Sequence, residues 1–272
     1  MSAAKRRRTR WGEFTAREFD GLDSEAVVAV LPIAAHEQHG PHLPVSTDAA
    51  IMAGLLDAVA ERLPEDLDVR VLPIQAVGKS NEHVRHPGTL TVPATVLIEH
   101  WCALGDSIAR AGVRKLVIVN SHGGNEELMG VVARELRERH DMLVVKSSWI
   151  RFGLPDGAID AWEARHGIHG GDYETSVMLA LAPELVRMER ARRFESSAER
   201  AGETFERIGP TGTHAWAWLA EDLNPDGVVG DASRATAERG RACIAHQAQG
   251  FVELLLEVRR AALADWVAAR RG

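Results

Sequence analysis

The sequence predicts an α/β protein in which a mostly parallel central sheet is covered by helices on both faces. Two observations support this prediction. Short apolar runs rich in valine and isoleucine, which are typical of buried strands, recur along the chain. Longer segments with helical periodicity lie between them, and this β-α-β-α order favours parallel strands joined by helical crossovers.

Four strands are predicted, each from a short run of apolar residues that is flanked on both sides by turn or loop residues. They are residues 26–34, 69–74, 115–120 and 142–146. Because these runs are apolar throughout instead of alternating with polar residues, both faces of the sheet are expected to be buried.

Five longer helices are predicted, at residues 48–62, 94–111, 126–140, 172–182 and 235–270. The first follows the candidate N-cap residues 46–48 and ends before Pro64, and the second stops at Gly112. Asn125 suits the N-cap of the third helix, and Gly250 is a candidate break in the last. The segments 149–169 and 195–230 are expected to be irregular.

Composition excludes several classes of protein. The 272 residues can bury a large core and are predicted to form one domain, residues 1–272. A formal net charge of −7 argues against nucleic-acid binding. Residues 1–15 are expected to be a flexible basic terminus, since no apolar segment follows their basic run as in a signal peptide. No run of about 18 apolar residues predicts a membrane span, and two cysteines without a spacing motif suit a cytoplasmic protein.

The strongest chemical signal follows the first predicted strand. Three imidazoles and two carboxylates occur there, at His36, Glu37, His39, His42 and Asp48. If the chain is still extended, Glu37 and His39 project to the same side. Carboxylates and imidazoles that converge at the end of a buried strand are typical ligands of zinc or manganese. The alternative is a polar loop in which Asp48 is only an N-cap.

A second cluster, residues 121–125, connects the third predicted strand to a helix. Its paired glycines permit a tight turn, where His122 is presented. In parallel sheets ligands bind beyond the carboxyl ends of the strands, so His122 is expected to face Glu37 and His39. The alternative is a capping loop with an incidental histidine.

A third cluster places His169 among glycines, five residues before Glu174. Glu174 could merely complement a helix dipole, but a carboxylate facing the core would need a cation or an arginine. A fourth segment, residues 81–89, carries His83 and His86, which could bind metal, contact substrate or orient other ligands.

Together these segments resemble the creatininase family of metal-dependent amidohydrolases. The resemblance rests on residues 37–44 with Asp48, on residues 120–125, and on His169 with residues 174–176. Glu82-His83 and Pro87-Gly88-Thr89 add to it. The family implies a three-layer α/β/α domain, usually a homohexamer, that binds two divalent ions per subunit (zinc, manganese or iron).

Carried over residue by residue, the resemblance implies that Glu37, Asp48 and His122 bind one metal ion. His39 and Asp48 would bind the other, so that Asp48 bridges the two ions.

One position departs from creatininase itself, which has a glutamate two residues after the third-strand histidine. This chain has Gly124 there. Glu174 is the preferred replacement ligand and Glu126 the alternative. The departure argues against creatinine as the substrate.

The predicted function is hydrolysis of an amide C–N bond in a small molecule, such as a cyclic amide or a formamide, by metal-activated water. His169 is predicted to give a proton to the leaving nitrogen, with Glu174 beside it. The predicted substrate-binding residues are Glu82, His83, Ser121, Gly123 and Gly124. Alternatives are a peptidase, since the mycofactocin-system peptidases share the His-Gly-Gly-Asn form, a metal-dependent sugar isomerase or aldolase, and a non-catalytic metal-stabilised scaffold.

Overall fold

The central sheet has four parallel strands in the order β2-β1-β3-β4, in a computed structural model that describes residues 7–266. The strands are β1 Val28–Ile33, β2 Val69–Val71, β3 Lys115–Asn120 and β4 Leu143–Ser148. The register aligns Ile33 of β1 with Asn120 of β3, and Asn120 with Ser148 of β4. The carboxyl ends of these three strands therefore form one edge. A small antiparallel pair, β5 Arg193–Phe194 and β6 Gly230–Asp231, lies apart from the sheet.

The helices of the described residues connect the strands and cover the sheet. They are α1 Thr47–Ala60, α2 Ala94–Arg110, α3 Glu126–His140, α4 Ala161–His166, α5 Asp172–Leu181, α6 Ala198–Thr204, α7 Ala220–Leu223, α8 Ala237–Arg260 and α9 Leu263–Trp266. Helix α3 begins and ends as predicted, and α1, α2 and α5 differ from their predicted bounds by one or two residues at their ends. None of the helices in the described range is long and apolar enough to cross a bilayer.

Alternation of side chains along the strands divides the core into two layers. Val28 and Val30 of β1 pack with α1, α5 and α8 on one face. Ala29 and Leu31 pack with α2 and α3 on the other. This confirms the three-layer prediction. Because α8 near the end of the described chain packs on α1 and α5, we propose that the chain folds as one domain.

The prediction of a flexible basic terminus is wrong for residues 7–15, while residues 1–6 lie outside the described range. The Thr9 carbonyl accepts a hydrogen bond from the Val71 N–H at 2.7 Å, which extends the sheet edge beside β2. The Arg10 guanidinium lies 2.6 Å from Asp57, and that of Arg70 lies 3.5 Å from the centre of the Phe14 ring. Specific pairing with the folded domain thus orders this segment.

The candidate break at Gly250 is also wrong, because α8 continues through it to Arg260. A side chain at Gly250 would lie 2.9 Å from the Phe152 ring. The glycine therefore permits close packing of the helix against Phe152 and does not end it. Residues 267–270 of the predicted tail lie outside the described range.

Candidate metal centre and active site

Carboxylates and imidazoles from four segments converge beyond the carboxyl ends of β1 and β3. Glu37 and His39 follow β1, His122 follows β3, Asp48 lies in the first turn of α1, and Glu174 lies in the first turn of α5. The first four are at most 6% exposed. The structure therefore brings together the five residues predicted from the sequence as metal ligands.

These side chains form two groups that share Asp48. In one group, His122 Nδ1 lies 3.0 Å from Glu37 Oε1 and 3.7 Å from Asp48 Oδ2. In the other, His39 Nε2 lies 3.6 Å from Asp48 Oδ1 and 3.9 Å from Glu174 Oε1. Each oxygen of Asp48 faces one group, which is the placement that a bridging carboxylate requires.

The alternative that Asp48 is only a helix N-cap is wrong. Ser46 occupies the N-cap position of α1, and Asp48 lies inside the first turn. Its side chain is 2% exposed and faces the imidazoles instead of the backbone at the helix start.

Hydrogen bonds on the outer side of each ring determine which nitrogen faces the cluster. The outer nitrogens and their backbone carbonyl partners are His39 Nδ1 with Glu37 at 3.0 Å, His122 Nε2 with Lys79 at 2.8 Å, and His169 Nε2 with Gln38 at 2.7 Å. A carbonyl only accepts, so the outer nitrogen carries the hydrogen and the inner nitrogen of the neutral ring presents a lone pair. Metal-binding histidines are usually held in this way.

Lone pairs therefore face carboxylate oxygens across the centre of the cluster. Both oxygens of Glu37, His39 Nε2 and Asp48 Oδ2 are buried and have no hydrogen-bond partner. Burying acceptors against acceptors is costly unless a proton or a cation lies between them. The residues present thus fit divalent cations.

The electrostatics of the cluster lead to the same requirement. Burial lowers the pKa of His122, but the Glu37, Glu82 and Asp48 carboxylates together outweigh burial and raise that pKa well above its usual value. Burial likewise lowers the pKa of His39, but the Asp48 and Glu174 carboxylates together raise it well above its usual value. Burial and the neighbouring Glu37 carboxylate raise the pKa of Asp48 to about 6. The buried carboxylates therefore need positive charge, from imidazolium protons or from metal ions.

The His83 ring turns its N–H, and not a lone pair, toward the cluster. The Gln38 amide is oriented because its oxygen accepts from the Gly40 N–H at 2.9 Å and its nitrogen donates to the Gly227 carbonyl at 2.5 Å. That nitrogen also lies 2.8 Å from His83 Nδ1, so it donates there and the ring hydrogen is on Nε2, 3.3 Å from Glu37 Oε1. A nitrogen that carries hydrogen does not bind metal. His83 thus lies against the Glu37 carboxylate as an orienting neighbour.

A cavity of about 330 Å³ adjoins the cluster and offers space for a substrate. His122, His169 and Glu174 line its polar side, together with Ser121 and Gly123. Its apolar wall consists of Ile51, Trp149, Ile150, Leu154, Ile159 and Ile168. Of the predicted substrate-binding residues, Glu82, His83 and Gly124 do not line this cavity. Glu82 instead lies beside His122, with its Oε1 atom 3.3 Å from His122 Nε2.

Comparison with known proteins identifies the family. A model of the creatininase family, described as creatinine amidohydrolase, matches residues 12–255. The chain belongs to the creatininase family. A solved creatininase with a tryptophan-to-alanine substitution has a TM-score of 0.75 and 25% identity, and the match covers 94% of this chain and all of that one. Solved creatininases also include one described with manganese and one described as a Zn-Zn type, which supports divalent metal binding here.

Two relatives within the family have different described activities. The mycofactocin precursor peptide peptidase of Mycolicibacterium smegmatis is 31% identical over 245 residues, which are 89% of this chain and 88% of the relative. The creatinine amidohydrolase of Pseudomonas putida is 28% identical over 267 residues, which are 90% of this chain and 95% of the relative. This chain is therefore a creatininase-family amidohydrolase with relatives that act on peptide and non-peptide amides.

Gly124, where creatininase has a glutamate, has no room for a side chain. A Cβ atom there would collide with the Lys79 carbonyl and lie 2.5 Å from Glu82 Oε1 and 2.6 Å from His122 Nε2. The third side chain of the His39 group is Glu174 on α5, whose Oε1 lies 3.9 Å from His39 Nε2.

The other candidate replacement, Glu126, is turned away from the cluster. Its carboxylate accepts a hydrogen bond from the Ser148 hydroxyl and lies 3.0 Å from the Arg151 guanidinium. Its oxygens are occupied by these partners, so the geometry favours Glu174 as the ligand.

We expect Gly124→Ala to weaken binding of the Glu37–His122 metal ion about tenfold, because the methyl group must displace the His122 ring or the Lys79 carbonyl that holds it. Overpacking of this kind also costs about 1–3 kcal/mol of unfolding free energy. Chelator competition and denaturant titration measure the two effects. Gly123→Ala is the matched control, since nothing lies within 4 Å of a Cβ there. Equal metal affinity and equal stability of the two variants would contradict this explanation.

The roles of three side chains that shape the site were not predicted from the sequence. Gln38 orients His83, and the buried His42 ring lies 3.0 Å from the Gly170 carbonyl. Glu163 lies beside the segment that carries His169. Their partners are distant in sequence, and local periodicity contains no signal for such contacts. The glycines around His169 were the one available sign of close packing.

Proposed function

We propose that the protein hydrolyses an amide C–N bond of a small molecule with two divalent ions, zinc, manganese or iron. Glu37, Asp48 and His122 would hold one ion, and His39, Asp48 and Glu174 the other. The observation that carries this proposal is Asp48, whose two buried oxygens face two separate groups of lone pairs. When bound, such a pair of ions lowers the pKa of a water molecule and polarises an amide carbonyl.

His169 is proposed to move the proton, at its Nδ1 atom. Its Nε2–H is fixed on the Gln38 carbonyl, so Nδ1 presents a lone pair 3.7 Å from Glu37 Oε1. Burial and the neighbouring His39 lower the pKa of His169, which keeps the ring neutral and able to accept a proton. The ring lines the cavity, where it can pass that proton to the leaving nitrogen.

Two features bear on the substrate class. One is the cavity, and the other is Gly124 in place of the glutamate of creatininase, which argues against creatinine itself. We propose a non-peptide amide, such as a lactam or a formamide, because the cavity has the volume of a small molecule. A peptide amide is the second candidate, and the observation that favours it is the 31% identity to the mycofactocin precursor peptide peptidase. The family resemblance also leads us to propose a homohexamer, which sedimentation velocity would check.

A hydrolysis panel tests the proposed function. Manganese- and zinc-loaded protein would be assayed on cyclic ureides, lactams, formamides and dipeptides, with Asp48→Ala as the inactive control. Turnover of a non-peptide amide supports the proposal. Turnover confined to peptides would replace it with the peptidase function, and failure of metal-loaded protein on every C–N bond would contradict amidohydrolase activity.

The second ion should depend on Glu174. We expect purified protein to hold two divalent ions per chain and Glu174→Gln to hold one, because the variant loses the anionic ligand of the His39 group. Elemental analysis of the folded proteins gives both numbers. Glu126→Gln is the matched control and should keep two ions. One ion in the wild type, with no effect of Glu174→Gln, would show that the proposed ligand set is wrong.

A further inference from the structure

Glu163 is a buried carboxylate to which the proposed chemistry assigns no role. It lies in the short helix α4, is 4% exposed, and borders the segment 167–174 that carries His169 and Glu174. Arginine and lysine side chains are absent from its immediate hydrogen-bond partners among the described residues. Its carboxylate is satisfied by backbone instead.

Each oxygen of Glu163 accepts one backbone N–H. Oε1 accepts from Asp172 at 2.8 Å, and Oε2 accepts from Asp231 at 2.6 Å. Asp172 is the first residue of α5, and Asp231 belongs to β6. The single carboxylate therefore joins the start of the helix that carries Glu174 to the small antiparallel pair.

Three glycines enclose this carboxylate. A Cβ atom at Gly167 would lie 2.5 Å from Glu163 Oε1, one at Gly230 would lie 2.8 Å from it, and one at Gly171 would overlap it. Their missing side chains leave the space that the carboxylate fills. The local sequence is thus built around a carboxylate at this position.

The same two backbone segments are also joined directly. The His169 N–H donates to the Val229 carbonyl at 3.1 Å, and the Val229 N–H donates to the His169 carbonyl at 2.8 Å. Glu174 in turn accepts from the Gly170 N–H at 2.5 Å. Displacement of the segment at Asp172 would therefore move both His169 and Glu174.

We propose that Glu163 is a positioning residue that holds the start of α5, and with it Glu174 and His169, in register with the metal-binding cluster. The inference rests on the proposed function, since it assigns Glu174 to the second metal ion. Neutral replacement cannot reproduce the contact: glutamine has one acceptor oxygen, and its NH₂ group would face one of the two backbone N–H groups. An unpaired buried N–H then favours displacement of the segment.

The test compares the affinities of the two metal ions in Glu163→Gln and in wild-type protein, by stepwise chelator competition with zinc. We expect the ion bound by His39 and Glu174 to be held 10- to 100-fold more weakly, and the ion bound by Glu37 and His122 to be held as in the wild type. A residue important only for stability would lower the melting temperature and leave both affinities unchanged.

Asp160→Ala is the matched control. Asp160 caps α4 by accepting the Glu163 N–H at 2.8 Å, so this variant weakens the helix without removing the carboxylate. It should keep both affinities. If Asp160→Ala reproduces the effect, or if Glu163→Gln weakens both ions equally or neither, the inference is wrong.

Two further results keep the test decisive. Glu163→Asp retains the charge but is one methylene too short to reach both N–H groups, so it should show the same selective loss if Glu163→Gln does not fold. Unchanged affinities in a folded Glu163→Asp would likewise overturn the inference. Absence of a second ion in the wild type would instead contradict the proposed function.

Discussion

Replacement of Asp48 by alanine is expected to remove both metal ions and to lower amide hydrolysis by at least about a thousandfold. Asp48 offers one oxygen to each ligand group, 3.6 Å from His39 and 3.7 Å from His122. Without Asp48, each group keeps only one carboxylate and one imidazole. Two protein ligands are too few to hold a catalytic ion. Elemental analysis and the rate on the substrate found in the panel measure both losses.

Asp57→Ala is the control for this variant. Asp57 lies on the exposed side of the same helix and pairs with Arg10, so its loss should leave metal content and activity unchanged. A folded Asp48→Ala protein that keeps two ions would show that Asp48 is not the bridge. Retention of one ion would show that Asp48 binds only the ion that is lost.

Replacement of His169 by alanine is expected to keep both metal ions and to lower turnover by about a hundredfold or more. The ring is the proposed site of proton transfer, while the other five side chains are the proposed ligands of the two ions. Turnover at saturating substrate and metal content of the same preparation are the measurements. His100→Ala, which alters an exposed histidine on α2, is the control.

Two outcomes would reassign His169. Its Nδ1 lies 3.7 Å from Glu37 Oε1, so loss of an ion in the variant would make the residue a metal ligand. Turnover close to that of the wild type would show that the ring is structural. The proton donor would then be sought at His83, whose ring stacks on that of His169 with 4.3 Å between the ring centres, or at Glu82, whose Oε1 lies 3.3 Å from His122 Nε2.

Local sequence was sufficient for most of the sheet and its helices. The apolar run at residues 115–120 predicts β3 with its observed bounds, since both faces of that strand are buried. Strand β4 extends two residues beyond its prediction because Ser147 and Ser148 are polar yet buried, and Ser148 lies 3.3 Å from the Asn120 amide. Polar residues at the end of a strand, next to a functional site, do not show the apolar run from which the strands were predicted.

The candidate ligands were predictable because they follow strand ends, where the topology of a parallel sheet brings side chains together. Glu37, His39 and His122 belong to this class. Their ring orientations were not predictable, since these depend on partners such as the Gln38 carbonyl, 131 residues from His169. The position of Glu163 likewise depends on backbone groups of α5 and β6.

The measurement that most directly tests the central claim is an anomalous diffraction map of crystals of manganese- or zinc-loaded protein. We expect two peaks about 3.5–4 Å apart, each about 2.0–2.2 Å from a different Asp48 oxygen. One peak should be bound by Glu37 and His122, and the other by His39 and Glu174. A single peak, or a second peak bound by Glu126 with Glu174 turned away, would contradict the account.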